Sequence, residues 1–395
     1  MDGRIVLTEK AVRTVPYGFL AVLFPIYLAQ FGFNPFEIGI ILTLTVATSA
    51  FYTFVASLFA DRFSRKRTLV LFAITDALAG AILFISASKW APVAAGIIGN
   101  MSVGSGETGP YLSLDQAIIP ETAEVKHRTL TFSVYNLIGY GSLSAGSLLA
   151  GFPQYFGQGF SAYRPLFLAY LLSGLAGAFL YSRLSKKVEP VHSTSSRAKV
   201  LSNESKPIIY KMSALFSLDA FGGGFVGQSI LSYYFYERYN LTLASLGLLF
   251  AATQIVTAAS FLLAARLARS FGLINTMVFS HIPSNILLAS IAFAPSAGLA
   301  VLLFLCRQSL SQMDVAPRQS YLMSMVPEVD RTPAAGLTNV SRTAAQAVSP
   351  SLAGYAIANL WLGSPFVFAG TVKLAYDIIL YRVFHRAKPS QESHC

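Results

Sequence analysis

Long apolar runs alternate with short polar segments along almost the whole chain. A run of roughly 20 mainly apolar residues is long enough to cross a lipid bilayer as a helix. Pro, Gly and clusters of charge mark the ends of these runs, as they mark the ends of helices. The pattern therefore predicts twelve membrane-spanning helices, near residues 12-32, 36-59, 68-88, 92-118, 130-152, 163-182, 208-236, 243-265, 274-293, 297-325, 334-360 and 364-384.

One long polar stretch, rich in Ser and Lys, separates the first six predicted helices from the last six. Such a composition without an apolar run is typical of a linker. The sequence thus predicts a six-helix bundle at 1-182, a cytoplasmic linker at 183-207 and a second six-helix bundle at 208-395.

The two predicted bundles repeat one another at an offset of about 207 residues. The segment Ile-Pro-Glu at 119–121 recurs as Val-Pro-Glu at 326–328, and Glu107 aligns with Asp314. A collinear series of such matches indicates duplication. Because each half has an even number of helices, both copies have the same orientation, which is the parallel-repeat arrangement of secondary transporters.

Composition and charge agree with a membrane protein. Hydrophobic residues make up 54% of the 395 residues and charged residues 12%, whereas a soluble protein is about 25% charged. The net charge of +11 comes mainly from Lys and Arg between the apolar runs, on the side that also holds both termini. The positive-inside rule places that side in the cytoplasm. The charge therefore indicates topology and does not indicate nucleic-acid binding.

The loop after the second predicted helix carries a recognisable motif. It reads Ala-Ser-Leu-Phe-Ala-Asp-Arg-Phe-Ser-Arg-Lys-Arg-Thr-Leu at 56–69. It resembles the signature loop of the major facilitator superfamily, with Asp61, Arg62 and Arg65 at matching positions and Ser57 and Ser64 in place of glycines. The resemblance implies two pseudo-symmetric six-helix bundles, an all-α polytopic membrane protein, and a loop that acts as an inner gate. The alternative is that the basic residues only anchor the loop to the lipid headgroups.

Polar stripes cross two of the predicted helices. In the tenth helix, Arg307, Ser311, Asp314 and Arg318 fall on one face, and the equivalent stripe in the fourth helix is Asn100, Gly104, Glu107 and Tyr111. An ionisable residue at membrane depth is a candidate functional residue because burying it is costly. The family resemblance implies that Glu107 and Asp314 face each other across a central cavity, where they bind solute or protons. A permanent ion pair with Arg342 or another helix is the alternative.

Other charged residues have several interpretations. Arg13 and Asp219 occupy equivalent repeat positions, where they form a gating salt bridge or anchor helix ends. Arg342 contacts the solute or pairs with Asp314. Asp76 has no obvious partner in the sequence. Lys373 and Asp377 are four residues apart and are expected to form a structural pair.

The predicted function is secondary-active transport of a small organic solute by alternating access, with proton-coupled export as the favoured mode. Uptake or facilitated transport of an organic anion, and a non-transporting solute sensor, remain alternatives. No enzyme activity, cofactor or metal is expected, because the five histidines form no nucleophile or metal-ligand pattern and no phosphate-binding loop sequence occurs. The expected partners are a solute, protons and the lipid bilayer, with no nucleic acid. We expect a monomer in the cell membrane.

Overall fold

The computed structural model describes residues 2–104, 109–122, 128–157, 159–189, 202–327 and 330–385. These residues form α-helices joined by short loops and three short 3-10 helices, and they contain no strand. The fifteen α-helices of the described residues are α1 (Asp2–Gln30), α2 (Pro35–Phe63), α3 (Arg65–Ile85), α4 (Ala91–Ile98), α5 (Pro110–Thr122), α6 (Arg128–Leu149), α7 (Arg164–Ser182), α8 (Lys206–Gly224), α9 (Gln228–Tyr239), α10 (Leu243–Phe271), α11 (Leu273–Ile291), α12 (Ala297–Ser311), α13 (Val315–Ser324), α14 (Arg331–Asn359) and α15 (Ser364–Phe384).

Nine of the twelve predicted spans correspond to single helices, and three are split in two. The prediction of one continuous helix is wrong for three spans. The structure has α4 and α5 at 92-118, α8 and α9 at 208-236, and α12 and α13 at 297-325. Glycine or proline lies at each interruption. Gly109 has a φ of 117°, a conformation that favours glycine, and Pro110 begins α5. Three consecutive glycines end α8. Pro317 cannot donate a hydrogen bond to the carbonyl of Met313, so α12 does not continue into α13.

The chain divides into two compact units. Unit 1 comprises Met1–Ser193 and Gly227–Ile255, and unit 2 comprises Thr194–Val226 and Val256–Cys395. Residues 227–255 join unit 1 because they bond to its first helix: the Ser229 hydroxyl donates to the Ala21 carbonyl at 3.0 Å, and Ser232 donates to the Val22 carbonyl at 2.6 Å. The predicted division at 182 and 208 stays a prediction.

Unit 1 is built around α1, which packs against α6, α7 and α9, while α3 packs along α7. The helices approach closely where glycines face one another. A Cβ on Gly146 of α6 would overlap the Val15 carbonyl of α1, and one on Gly18 would overlap the Leu143 carbonyl. Small residues allow this close packing between membrane helices.

Unit 2 is built on two helix pairs, α8 with α14 and α11 with α15. Its apolar core includes Met212, Phe216, Tyr321 and Leu380. The core positions α8, α13 and α15, which carry most of the buried charges of this unit.

Large apolar side chains also cover outward surfaces. Phe51, Phe54, Leu71 and Leu78 are all more than half exposed. Water would disfavour such a surface, whereas lipid chains solvate it. Six of the described helical stretches are long and apolar enough to cross a membrane: Asp2–Gln30, Pro35–Ala56, Arg65–Ile85, Phe160–Ser182, Lys206–Tyr239 and Leu243–Ser260.

Candidate functional site

A buried ionic network occupies the interior of unit 1. Arg13 of α1 lies with its Nη2 atom 3.0 Å from the Asp115 Oδ2 atom of α5 and 3.4 Å from the Glu9 Oε2 atom. Glu9 and Arg13 are one helical turn apart and therefore share a face of α1. All three side chains are buried. We call Glu9, Arg13, Asp115 and the tyrosines Tyr135 and Tyr181 that bond to them the Glu9 network.

The two carboxylates of the Glu9 network share one tyrosine. The Tyr181 hydroxyl of α7 lies 2.5 Å from Glu9 Oε2 and 3.2 Å from Asp115 Oδ1. Tyr135 of α6 donates to Asp115 Oδ2 at 2.9 Å. A phenol has a single proton to donate, so it can donate to only one of the two carboxylates at a time. The second contact is a hydrogen bond only when the other carboxyl group itself carries a proton.

Asp76 of α3 has four hydrogen-bond donors around it. The hydroxyls of Tyr111, Tyr170 and Tyr17 lie 2.8, 3.0 and 3.3 Å from its oxygens, and the backbone N–H of Asn100 donates at 2.8 Å. These partners of Asp76 were not apparent from the sequence. The donors come from four separate segments of the chain, and nothing in the sequence pattern places them together.

Two predicted site residues, Asn100 and Tyr111, contact Asp76. Asn100 follows α4, in the interrupted part of the fourth span, where its backbone N–H is free to bond outside a helix. Tyr111 also lies beneath the guanidinium of Arg13, 4.1 Å from the ring centre. This cation–π contact joins Asp76 and its tyrosines to the Glu9 network.

Unit 2 contains a second ionic network, centred on Asp219 of α8. Its carboxylate accepts hydrogen bonds from Lys373 of α15 and from the Arg318 Nη1 atom of α13, the latter at 3.1 Å. Arg318 also contacts Asp314 at 2.9 Å. Asp314 and Arg318 are four residues apart, a spacing that allows their side chains to meet. We call Asp219, Asp314, Arg318 and Lys373 the Asp219 network.

His281 of α11 connects this network to another carboxylate. Its Nδ1 atom lies 2.9 Å from Asp377 Oδ1, and its Nε2 atom lies 3.8 Å from Asp219 Oδ1. Asn285 donates to Asp377 Oδ2 at 2.8 Å. The predicted pair of Lys373 with Asp377 is therefore wrong. Lys373 extends past the small residue Gly222 to Asp219, and His281 and Asn285 bond to Asp377 instead.

Arg307 and Arg342 have a different environment. The Arg307 Nη1 atom donates to the Gln308 side chain at 2.8 Å. Within the described residues, no carboxylate forms an ion pair with either arginine. The alternative in which Arg342 pairs with Asp314 is not seen, because Asp314 pairs with Arg318.

The structure describes only part of the signature loop. The side chains of Asp61 and Arg62 lie outside the described residues. Glu107, a predicted solute or proton site in another segment, also lies outside them. Arg65 begins α3, and its backbone N–H donates to Glu189 at 2.8 Å, while the Ser64 hydroxyl donates to the same carboxylate at 2.5 Å. A carboxylate at a helix N-terminus satisfies free N–H groups and complements the helix dipole.

The segment preceding α8 is held by a second acidic residue. The hydroxyls of Ser202 and Ser205 donate to Asp330 Oδ2 at 2.5 and 2.6 Å. These hydrogen bonds stabilise the ionised carboxylate and hold the pKa of Asp330 below its ordinary value. Neither this contact nor that of Glu189 was expected, because both partners come from polar segments without a helical pattern.

The chain is similar to known proteins over most of its length. The family model described as Major Facilitator Superfamily matches residues 11–313. The uncharacterized membrane protein YJR124C of Saccharomyces cerevisiae is 24% identical over 420 residues, which cover 97% of this chain and 94% of the yeast protein.

Solved structures of transporters share the fold. A mutant of the nucleoside transporter NupG gives a TM-score of 0.79 at 12% identity, with 97% of this chain and 100% of that chain covered. The human organic anion transporter MFSD10 gives a TM-score of 0.67 at 13% identity, with 96% and 99% covered. The predicted all-α polytopic membrane fold is thereby confirmed.

Proposed function

Because the chain belongs to the major facilitator superfamily, whose members are secondary transporters, we propose that it carries a small organic solute by alternating access and couples this movement to protons. The Glu9 network is the proton site in this proposal. This assignment differs from the sequence-based candidates. Glu107 lies outside the described residues, and Asp314 is already paired with Arg318.

The shared hydroxyl of Tyr181 is the observation that carries the proposal. With one added proton, Glu9 donates to the Tyr181 oxygen, and the Tyr181 hydroxyl donates to Asp115, so that both contacts become hydrogen bonds. Without that proton, only one of the two contacts is a hydrogen bond. The network therefore has two protonation states with different hydrogen bonding.

Arg13 links these two states to ion pairing. It contacts Asp115 at 3.0 Å and Glu9 at 3.4 Å. Protonation of Glu9 removes one of these two negative charges and leaves the ion pair of Arg13 with Asp115. A change in ion pairing of this kind is a local event that can bias a protein between two conformations.

The proposal also includes the oligomeric state, the membrane topology and the direction of transport. We propose a monomer in the cell membrane with both termini in the cytoplasm, supported by the Lys and Arg excess on one side of the predicted helices. Export is the predicted direction.

The test is flux in liposomes with Glu9→Gln, which removes the titratable proton and keeps the size of the side chain. Purified protein is reconstituted, and uridine, D-xylose and benzoate are offered with and without a pH gradient. A gradient of one pH unit is worth about 1.4 kcal/mol per proton, which is about tenfold accumulation. We expect wild type to accumulate a solute to this order, and Glu9→Gln to exchange it without accumulation.

Glu237→Gln is the matched control, since Glu237 is exposed on α9 and the substitution removes the same charge. It should behave like wild type. Gradient-driven accumulation by Glu9→Gln to the wild-type level would refute the proton site. Failure of wild type to move any solute of the panel would count against the transport proposal itself.

A further inference from the structure

Two arginines in the interior of unit 2 have no acidic partner among the described residues. Arg307 of α12 is 9% exposed, and its guanidinium group donates a hydrogen bond to Gln308. Arg342 of α14 is partly buried. In the part of the chain that the structure describes, no carboxylate lies within ion-pair distance of either guanidinium group.

The other buried cations of the same unit differ in this respect. Arg318 contacts both Asp219 and Asp314, and Lys373 contacts Asp219. Among the described residues, Arg318 and Lys373 are neutralised by carboxylates, and Arg307 and Arg342 are not. Their excess positive charge is a local property of this region and does not result from a general lack of acidic residues.

Three buried polar atoms of these arginines and of a neighbouring serine have no hydrogen-bond partner within the described ranges. They are Arg307 Nε, Arg342 Nε and the hydroxyl of Ser311. Ser311 lies one helical turn after Arg307 and therefore shares its face of α12. Leaving buried donors unbonded costs about 1–3 kcal/mol each, so an uncompensated set of three is unusual in a folded protein.

The protein holds Arg307 in position. The Gln308 amide that accepts from Arg307 donates in turn to the Thr257 hydroxyl at 2.7 Å, and the Ser284 hydroxyl donates to the Arg307 backbone carbonyl at 3.3 Å. These bonds restrain the backbone and side chain of α12 before any ligand arrives. A pre-positioned donor loses less entropy when it binds.

Both arginines lie on helices next to α13. Asp314 stands between α12, which carries Arg307, and α13, and α13 packs against α14, which carries Arg342. The ion pairs that Asp219 and Asp314 form among the described residues go to Lys373, Arg318 and His281 and not to Arg307 or Arg342.

We infer that Arg307, Arg342 and Ser311 form a binding site for the acidic group of a small organic anion, either a carboxylate or a phosphate. This inference rests on the proposed transport function and specifies its substrate class. A guanidinium group presents several N–H donors in one plane, which match the oxygens of either acidic group. Burying an unpaired charge inside a membrane protein is costly, and a bound anion offsets that cost.

The test compares pairs of ligands in which one member carries an acidic group and the other is its neutral counterpart. Thermal unfolding of the purified full-length protein is measured with uridine against uridine 5′-monophosphate, and with benzamide against benzoate. We expect the anionic member of at least one pair to stabilise wild type and its neutral counterpart to leave the unfolding temperature unchanged. The pair that responds identifies the acidic group as phosphate or carboxylate.

Variants locate the site. Arg307→Gln and Arg342→Gln should each weaken binding of the responding anion at least about tenfold, the effect of losing roughly 1.4 kcal/mol of interaction. Arg266→Gln is the matched control, because Arg266 is exposed on α10 and its loss changes the net charge equally. An unchanged affinity in Arg266→Gln separates a site from general attraction to a basic protein.

Two results would overturn the inference. One is that neutral ligands stabilise wild type as much as the anionic ligands do, or that neutral ligands alone stabilise it. This result needs only the wild-type protein, so it holds even if the Gln variants fail to fold. The other is unchanged anion affinity in both Arg307→Gln and Arg342→Gln. If neutral solutes are still transported with a proton gradient, the proposed function survives and only the substrate class is wrong. Absence of flux for every solute, with anion binding intact, would instead refute transport.

Discussion

Buried carboxylates in unit 1 and unit 2 are stabilised by two different kinds of neighbouring group. Asp76 is surrounded by three tyrosine hydroxyls and a backbone N–H, whereas Asp219 contacts Arg318 and Lys373. Hydroxyls donate hydrogen bonds without adding charge. Cations add charge and long, flexible side chains. The hydroxyls around Asp76 therefore fix a local structure, whereas the cations around Asp219 allow ion pairs to be exchanged.

Removal of the Asp76 carboxylate should therefore be costly for stability. Asp76→Leu leaves four donors without their acceptor, and we expect a loss of about 3–5 kcal/mol of unfolding free energy. Tyr170→Phe removes one of the donors and should cost only about 1 kcal/mol. Thermal unfolding of the purified variants measures both. If Asp76→Leu unfolds at the wild-type temperature or above, the carboxylate has no structural role.

The sequence predicts residue pairs within one helix much better than pairs between helices. The i, i+4 spacing of Asp314 and Arg318 fixes their distance, and the pair is found at 2.9 Å. Lys373 and Asp377 have the same spacing, yet Lys373 bonds to Asp219 on another helix. Local geometry makes a pair possible, while packing decides between competing partners. For this reason Asp115, Glu9 and Tyr181 were absent from the sequence-based site.

At the scale of helices, the sequence predicts location well and continuity poorly. The thickness of the bilayer requires roughly 20 apolar residues per span, so apolar runs locate the helices. An interrupted helix has the same apolar composition as a continuous one. The interruptions before Pro110 and Pro317 therefore were not predicted, although the sequence has a proline after each of them.

The crossing of α1 and α6 provides a test at this scale. A Cβ on Gly146 would overlap the Val15 carbonyl, so Gly146→Ala should separate the helices and destabilise unit 1 by about 1–3 kcal/mol. Gly141 lies on the same helix with open space around it, and Gly141→Ala should be neutral or stabilising by up to about 1 kcal/mol. The two unfolding temperatures give the comparison. Equal effects of the two substitutions would show that the close approach contributes nothing.

At the scale of the whole molecule, polarity is distributed as transport requires. Within each unit, the described charged networks are buried, while large apolar side chains such as Phe51 and Phe279 are exposed on the outside. Lipid can solvate the outer surface, and the protein interior holds the charges. The family fold and this distribution agree with a membrane transporter.

The central claim is that the Glu9 network exchanges a proton with the solution in step with solute binding. The most direct measurement is the number of protons exchanged when a transported solute is added to purified protein in weakly buffered solution, followed with a pH-sensitive dye. The account predicts a net proton uptake or release by wild type that disappears in Glu9→Gln and persists in Glu237→Gln. If wild type binds the solute without any proton exchange, or if Glu9→Gln exchanges as many protons as wild type, the account of coupling is wrong.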